Sequence, residues 1–283
     1  MNINQALQSA IKTFTDVSDN PTYEARRLLG NLLKRDTTWL HLNADQELLP
    51  EQITDFENAV ARRATGYPLA YILGEWGFYQ WDFVVNDHVL IPRPETEMLV
   101  EKAVEWAKNH YLAGNFVDVG TGSGVIAVST GLLLPQASML AVDLSPDALG
   151  VAKINADRLV ASNVRFQQSD LLADVSPQTF DMILANLPYI DTDEMQTLDV
   201  ARYEPTLALD GGPAGMVLIE KLLHQAVKFV KPGSTIWLEI GIDQGQATRD
   251  LTLSIFPDAQ VEILRDLTNR DRVVKIVIQE ETS

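Results

Sequence analysis

The spacing of apolar positions changes twice along the chain. Over residues 1–74 they recur at helical intervals. Ala25, Leu28, Leu29, Leu32 and Leu33 share one face, and so do Ile53, Phe56, Val60 and Ala61. Asn20-Pro21 and Pro50 are start signals for these helices. The stripes read as the core of a small helical domain rather than as a groove for a partner. Between positions 74 and 90, Trp76, Phe78, Tyr79, Trp81 and Phe83 come in near alternation, which predicts a hairpin. Such rings can stack on bases, but a packed hairpin gives the same alternation and is the reading preferred here. From position 95 short apolar runs alternate with helical stretches, the pattern of a mostly parallel sheet covered by helices on both faces. Strands are expected at 116–119, 138–143, 164–168, 181–185 and 236–240, a helix over 215–230, and a closing pair at 261–265 and 272–278. The organisation expected is a helical domain over 1–74, a hairpin linker over 75–94 and a catalytic domain over 95–283.

Two strand ends carry candidate chemistry. After the first strand the chain reads Asp118-Val-Gly-Thr-Gly-Ser-Gly124. Gly120, Gly122 and Gly124, with Thr121 and Ser123 between them, let the backbone turn sharply and approach a ligand where a Cβ would collide. The turn opens a helix whose first N–H groups lack intrahelical partners and can face that ligand. A dinucleotide fingerprint needs the spacing G-x-G-x-x-G, and Val125 stands where its third glycine belongs. No Gly-Lys-Ser/Thr follows either, so a cofactor without pyrophosphate is favoured over a nucleotide phosphate.

Asp143 ends the next strand, 23 residues after Gly120. An acidic residue there can accept hydrogen bonds from ribose hydroxyls. The alternative is a capping role for the helix begun by Ser145 as N-cap and Pro146 at its first position. Past the third strand, Asp170 or Leu171 can border an adenine ring, or Asp170 can be structural.

Asn186-Leu-Pro-Tyr189 follows the fourth strand, on the carboxyl edge where open α/β sheets bind ligands. An amide nitrogen is a poor nucleophile because its lone pair is delocalised. Two acceptors can hold its hydrogens and aim it: the side-chain oxygen of Asn186 and the backbone carbonyl of Leu187. Pro188 shapes that turn, and Tyr189 can pack on the flat face of the substrate. Orientation of reacting groups is worth roughly 7–11 kcal/mol in well-placed intramolecular reactions. Out of context the same tetrapeptide is an ordinary turn after a strand.

Composition narrows the field. With 283 residues the chain has room for two domains and an ample core. It has no run of 18 apolar residues and no basic-then-apolar leader, so a cytoplasmic protein with no membrane association is expected. The absence of cysteine excludes disulfides, a thiolate nucleophile and zinc-thiolate sites. His41, His88, His110 and His224 are scattered, with no metal-binding spacing. The net charge is −17, of which the first 75 residues, with 7 basic and 10 acidic side chains, carry −3. Duplex-gripping proteins present a basic face; a protein substrate suits this charge better than a nucleic acid.

Taken with Glu24-Ala25, Leu28-Leu29, Ile91-Pro-Arg-Pro-Glu-Thr-Glu97, Tyr203-Glu-Pro-Thr-Leu-Ala-Leu209, Glu239-Ile-Gly241, Gln244-Gly245 and Asp271-Arg-Val273, these motifs resemble the protein-glutamine methyltransferases that modify peptide chain release factors, the HemK or PrmC family. The resemblance spans nearly the whole chain, and the Ile-Pro-Arg-Pro-Glu-Thr-Glu segment discriminates best. It implies a class I, Rossmann-like methyltransferase fold with a seven-stranded sheet whose last pair includes one antiparallel strand. It also implies S-adenosyl-L-methionine as cofactor and, as substrate, the glutamine amide in the Gly-Gly-Gln loop of a class 1 release factor. On the matching positions, Gly120, Thr121, Gly122, Ser123, Gly124, Asp143, Leu171 and Asn186 are expected at the cofactor, with Asn186, Leu187, Pro188 and Tyr189 at the glutamine. No metal is implied. One departure stands out: the family's usual Asn-Pro-Pro-Tyr has leucine at 187. The carbonyl remains and Leu187 still precedes a proline, so extended backbone is favoured, but the fixed φ is lost and a less preorganised turn is expected. Arg93 either shapes the mouth of the site or braces a turn between its two prolines. The rival reading is an adenine amino-group methyltransferase on DNA or RNA, which must extrude its base. A cofactor-binding protein without catalysis is a third reading, disfavoured by the intact Asn186, Pro188 and Tyr189.

Overall fold

The computed structural model describes residues 1–280. Two compact units meet in sequence at Glu75 and Trp76. The first contains α1 (Ile3–Phe14), α2 (Pro21–Leu33), α3 (Thr37–Leu42), α4 (Pro50–Ala64) and α5 (Leu69–Leu73). Asn2 and Gln5 form a reciprocal capping box on α1, and Asn20 caps α2 ahead of Pro21. Ala25, Leu28 and Leu29 of α2 and Phe56 of α4 are buried as the periodicity predicts. Ala61 is exposed instead, and Arg63, half a turn further on, points inward. Its guanidinium meets the carboxylate of Glu24 twice, at 2.6 and 3.2 Å, and donates to the Val17 carbonyl at 2.6 Å. Such a fork satisfies a buried charge on both sides, which is the condition for burying one.

The second unit begins with a hairpin, β1 (Glu75–Phe78) and β2 (Trp81–Val84), then α6 (Pro94–His110). Alternation of strand and helix follows: β3 (Asn115–Val119), α7 (Val125–Leu133), β4 (Ser138–Asp143), α8 (Pro146–Leu159), β5 (Val164–Gln168), β6 (Met182–Ala185), α9 (Thr192–Met195), α10 (Val217–Ala226), β7 (Thr235–Glu239), α11 (Gly245–Ile255), β8 (Gln260–Arg265) and β9 (Asp271–Val277). The sheet order is β5-β4-β3-β6-β7-β9-β8, with β9 antiparallel to both its neighbours and the other pairs parallel. The seven-stranded sheet expected from the sequence is therefore present. Helix α10 is shorter than the 215–230 predicted. Gly215 lies at φ +67°, outside helical space, and the chain leaves the helix in a turn before Pro232.

Both faces of the central strands β3, β4, β6 and β7 are dry, which is why these read as largely apolar runs. Phe116, Met139, Met182, Leu184 and Trp237 face one layer, with α6 and α7 packed on it. Val117, Val119, Leu140, Val142, Ile183, Ile236 and Leu238 face the other, against α10. The hairpin joins the first layer through buried Phe78 and Phe83, whose rings meet edge-on at 6.0 Å. Phe78 and Phe83 therefore serve packing, while Tyr79 is exposed. Among the described residues no helix is long and apolar enough to cross a membrane.

One polar side chain ties three of these elements together. Buried Asn155 on α8 accepts from the Val84 amide (2.7 Å) and donates to the carbonyls of Val84 (3.0 Å) and Ser123 (2.8 Å). It links hairpin, helix and glycine turn. Asn155→Ala leaves a backbone amide and two carbonyls without that partner, at about 1–3 kcal/mol for each group that stays unsatisfied. Urea denaturation should show a loss of about 2–4 kcal/mol; an unchanged midpoint would deny Asn155 this role.

Candidate active site

The strand order reverses at β3: the chain moves outward through β4 and β5, then returns to pair β6 on the other side. Ligands of open α/β sheets bind in the crevice at such a reversal, beyond the carboxyl ends. A cavity of about 260 Å³ lies there, lined by residues from the ends of β3, β4, β5 and β6. Gly120, Thr121, Gly122, Ser123, Asp143, Leu171, Asn186, Leu187 and Pro188 all line it. Gly124 and Tyr189 do not.

The glycine turn is held by β4 and by Asp118. The amides of Gly120 and Thr121 both donate to the Val142 carbonyl, at 2.9 and 3.0 Å. Gly120 has φ +74°, and a Cβ there would lie 2.9 Å from Cδ2 of Leu187. Gly124 has φ +85° at the start of α7, where a Cβ would lie 3.1 Å from that of Ala152 on α8. These two positions need glycine for conformation and for close approach. Gly124 thus serves helix packing rather than direct ligand contact.

Asp118 is fully buried and the sequence reading gave it no role. Its Oδ2 accepts from the Thr121 hydroxyl (2.6 Å) and from the Ala127 amide (3.1 Å), while Oδ1 is buried without a partner. One of the free amides expected to face a ligand from the start of α7 is therefore consumed internally. Burial raises the Asp118 carboxyl to about 7, against the opposing pull of Thr121 and Ala127. The signal in the sequence was an aspartate inside an otherwise apolar strand.

Asp143 is held by backbone donors on either side of the cavity. Its Oδ1 accepts from the Ser145 amide (2.9 Å) beside the N-cap, and its Oδ2 accepts from the Gly122 amide (2.8 Å). A carboxylate has about four acceptor positions, so these donors do not use all of them, and Asp143 lines the cavity. Burial raises its pKa and the backbone donors hold it down. Asp170 also lines the cavity and is paired with Lys221 at 2.6 Å.

The Asn186–Tyr189 turn is braced from several directions. Asn186 donates from Nδ2 to the Thr96 hydroxyl at 3.0 Å, which turns its Oδ1 the other way. Leu187 is almost fully buried and belongs to the second core layer. What proline would fix by its ring, leucine here fixes by packing beneath Gly120. Gln244 donates to the Tyr189 carbonyl at 2.9 Å while accepting from the Gly241 amide at 2.8 Å. The Tyr189 hydroxyl reaches Glu239 at 3.4 Å, so its ring is tethered inward. Burial, with Glu239 nearby, raises that phenol to about 12.

Apart from Arg93, the sequence reading missed the wall formed by residues just after the hairpin. Asp87, His88, Val89, Leu90, Pro92 and Arg93 all border the cavity. Arg93 meets buried Glu204 at 2.6 Å, and the second oxygen of Glu204 accepts from the Ile91 amide at 3.0 Å. Both roles open for Arg93 are thus met, since it lines the mouth and braces the turn.

Comparison with known proteins settles the kinship. A family model described as the PrmC N-terminal domain matches residues 5–74, and one described as a methyltransferase domain matches residues 113–247. The release factor glutamine methyltransferase of Moorella thermoacetica is 39% identical over 284 residues, covering 99% of this chain and 100% of its own. That of Cereibacter sphaeroides is 40% identical over 276 residues, covering 95% and 96%. The chain belongs to the release factor glutamine methyltransferase family. Membership makes it a methyltransferase, with S-adenosylmethionine as methyl donor. Among solved structures, a methyltransferase from Pyrococcus furiosus superposes with a TM-score of 0.53 at 17% identity, covering 70% of this chain and 89% of its own, and so shares the fold.

The raised pKa of Asp118 has a measurable sign. Its folded value of about 7 lies above the ordinary 3.8, so its protonated form favours folding. That contribution is complete below the unfolded value and is lost as pH rises through about 7. Carboxyl-detected NMR should show Asp118 titrating near 7, and Thr121→Val should move the midpoint upward; an ordinary carboxylate midpoint would refute this.

Proposed function

We propose that this enzyme methylates the side-chain amide of the glutamine in the Gly-Gly-Gln loop of a class 1 peptide chain release factor. The reading is carried by Asn186, whose Nδ2 is engaged by Thr96 so that Oδ1 is left to accept. The Leu187 carbonyl beside it supplies a second acceptor. Two acceptors facing one cavity suit a primary amide, which carries two N–H donors.

The residues present fit the donor. A Cβ built at position 122 meets nothing within 4 Å, so the backbone there lies open to a ligand. Asp143 retains acceptor positions for ribose hydroxyls, and Leu171 and exposed Leu144 offer apolar surface for an adenine ring. When bound, S-adenosylmethionine supplies a methyl group on a sulfonium sulfur that departs as a neutral thioether. The chain's own part is orientation: Asn186 and Leu187 aim the nitrogen, and Pro188 lines the wall behind it. The helical first unit, lacking chemistry of its own, is assigned to substrate recognition. The relatives' names support a release factor as partner, and the net charge of −17 favours a protein over a nucleic acid.

Two substitutions separate cofactor from substrate. Asp143→Ala should weaken S-adenosylmethionine binding by roughly 1.5–3 kcal/mol in calorimetry, the value of a hydrogen bond to a charged group. Asn186→Ala should keep cofactor affinity and slow methylation by about 10²-fold, as loss of one preorganised polar group at a reacting centre does. Wild-type enzyme with labelled cofactor should label a release factor, and changing the loop glutamine to alanine should abolish the signal. Labelled DNA would transfer the assignment to an adenine methyltransferase, and labelled release factor lacking that glutamine would overturn the glutamine as the target.

A further inference from the structure

The Gln244-Gly245 motif lies behind the Asn186–Tyr189 turn and outside the cavity lining. The ladder of β6 ends at Ala185, and the chain is gripped again at Ile190, which bonds Leu209 and Gly211 at 3.2 and 2.8 Å. Pro188, between these two points, has no N–H to offer. Side chains hold what lies between: Thr96 on Asn186 at one end, Gln244 on Tyr189 at the other.

Gln244 uses its whole amide there. Its Nε2 donates one hydrogen to the Tyr189 carbonyl at 2.9 Å and the other to the Ala214 carbonyl at 3.1 Å. Its Oε1 accepts from the Gly241 amide at 2.8 Å. The reversed amide would set an oxygen against two carbonyls and an N–H against an N–H, so the network admits one orientation. The surroundings leave room for this group and little else. At Gly215, with φ +67°, a Cβ would run into the Tyr189 carbonyl and lie 2.5 Å from Nε2. At Gly241 it would lie 3.0 Å from Oε1.

The geometry points to Gln244 as a positioning residue that sets the Asn186 and Leu187 acceptors by fixing the Tyr189 carbonyl behind them. This inference rests on the proposed role of those two acceptors in aiming the glutamine nitrogen. Gln244 joins three pieces of the fold: the end of β7 through Gly241, the loop before α10 through Ala214, and the substrate turn through Tyr189. A misplacement of about 1 Å at a reacting group can cost about 10²-fold in rate, so a small rotation of the turn is enough to matter.

Two variants test it. Gln244→Glu keeps the shape and the acceptor for Gly241, but sets a charged oxygen against two carbonyls. Gly241→Ala is milder, a Cβ pressing on Oε1. They should lower kcat about tenfold and about threefold, with KM for the release factor and calorimetric affinity for S-adenosylhomocysteine within about twofold of wild type. In an Asn186→Ala background, Gln244→Glu should cost no more than about threefold, because one of the two acceptors it positions has gone. Without substrate, the Asn186 side-chain amide signals should shift in Gln244→Glu. Wild-type kcat in both variants, a loss confined to KM or cofactor affinity, a tenfold cost that persists without Asn186, or unmoved Asn186 signals would each overturn the inference. A wild type that labels no release factor would instead overturn the functional reading, while the Asn186 signals still decide the positioning.

Discussion

Everything in the site depends on how closely two backbone turns approach one another beside β3. The glycine turn crosses over Leu187 and against Ala152 at positive φ, and a Cβ at either crossing would be in tight contact. The parallel register that aligns β3 with β4 and β6 delivers those turns to the same edge. Widen either crossing and the cavity loses its floor. That constraint explains why Leu187, despite lacking a proline's fixed φ, sits in a defined place. Its side chain belongs to the core, and its carbonyl is positioned by that burial.

A second principle is the use of buried acids as clamps. Asp118 fastens the glycine turn to α7, Glu204 fastens the Ile91–Arg93 wall, and Glu239 fastens Tyr189. Asp118 and Glu204 each take two donors, whereas Glu239 takes only the Tyr189 hydroxyl, and one oxygen of Asp118 and one of Glu239 stay buried without a partner. Asp118 and Glu239 are nevertheless raised to about 7 by desolvation. Their protonation is therefore coupled to the shape of the turns that border the cavity.

The strands and the two ligand-facing turns were legible because both depend on local rules. Apolar runs bounded by glycine and proline mark buried parallel strands, and alternating glycines mark a sharp turn with positive φ. Asp143 was legible for its place at a strand end, although its two structural bonds were not. What escaped the sequence was whatever depends on distant partners. Nothing local shows that Arg63 and not Ala61 would be buried, since that follows from Glu24 lying opposite. Thr96 lies 90 residues from Asn186, and Glu239 lies 50 from Tyr189. The motif segments Ile91–Glu97 and Tyr203–Leu209 were recognised separately, and the structure joins them through Glu204, while Glu239 and Gly241 hold the Tyr189 turn directly and through Gln244.

The most direct measurement is a crystal structure with S-adenosylhomocysteine and a Gly-Gly-Gln peptide bound. The account requires the glutamine amide nitrogen about 2.7–3.2 Å from both Asn186 Oδ1 and the Leu187 carbonyl, with Thr96 on the opposite end of the Asn186 amide. A glutamine held by other groups, or an Asn186 presenting Nδ2 to it, would contradict the account at its centre.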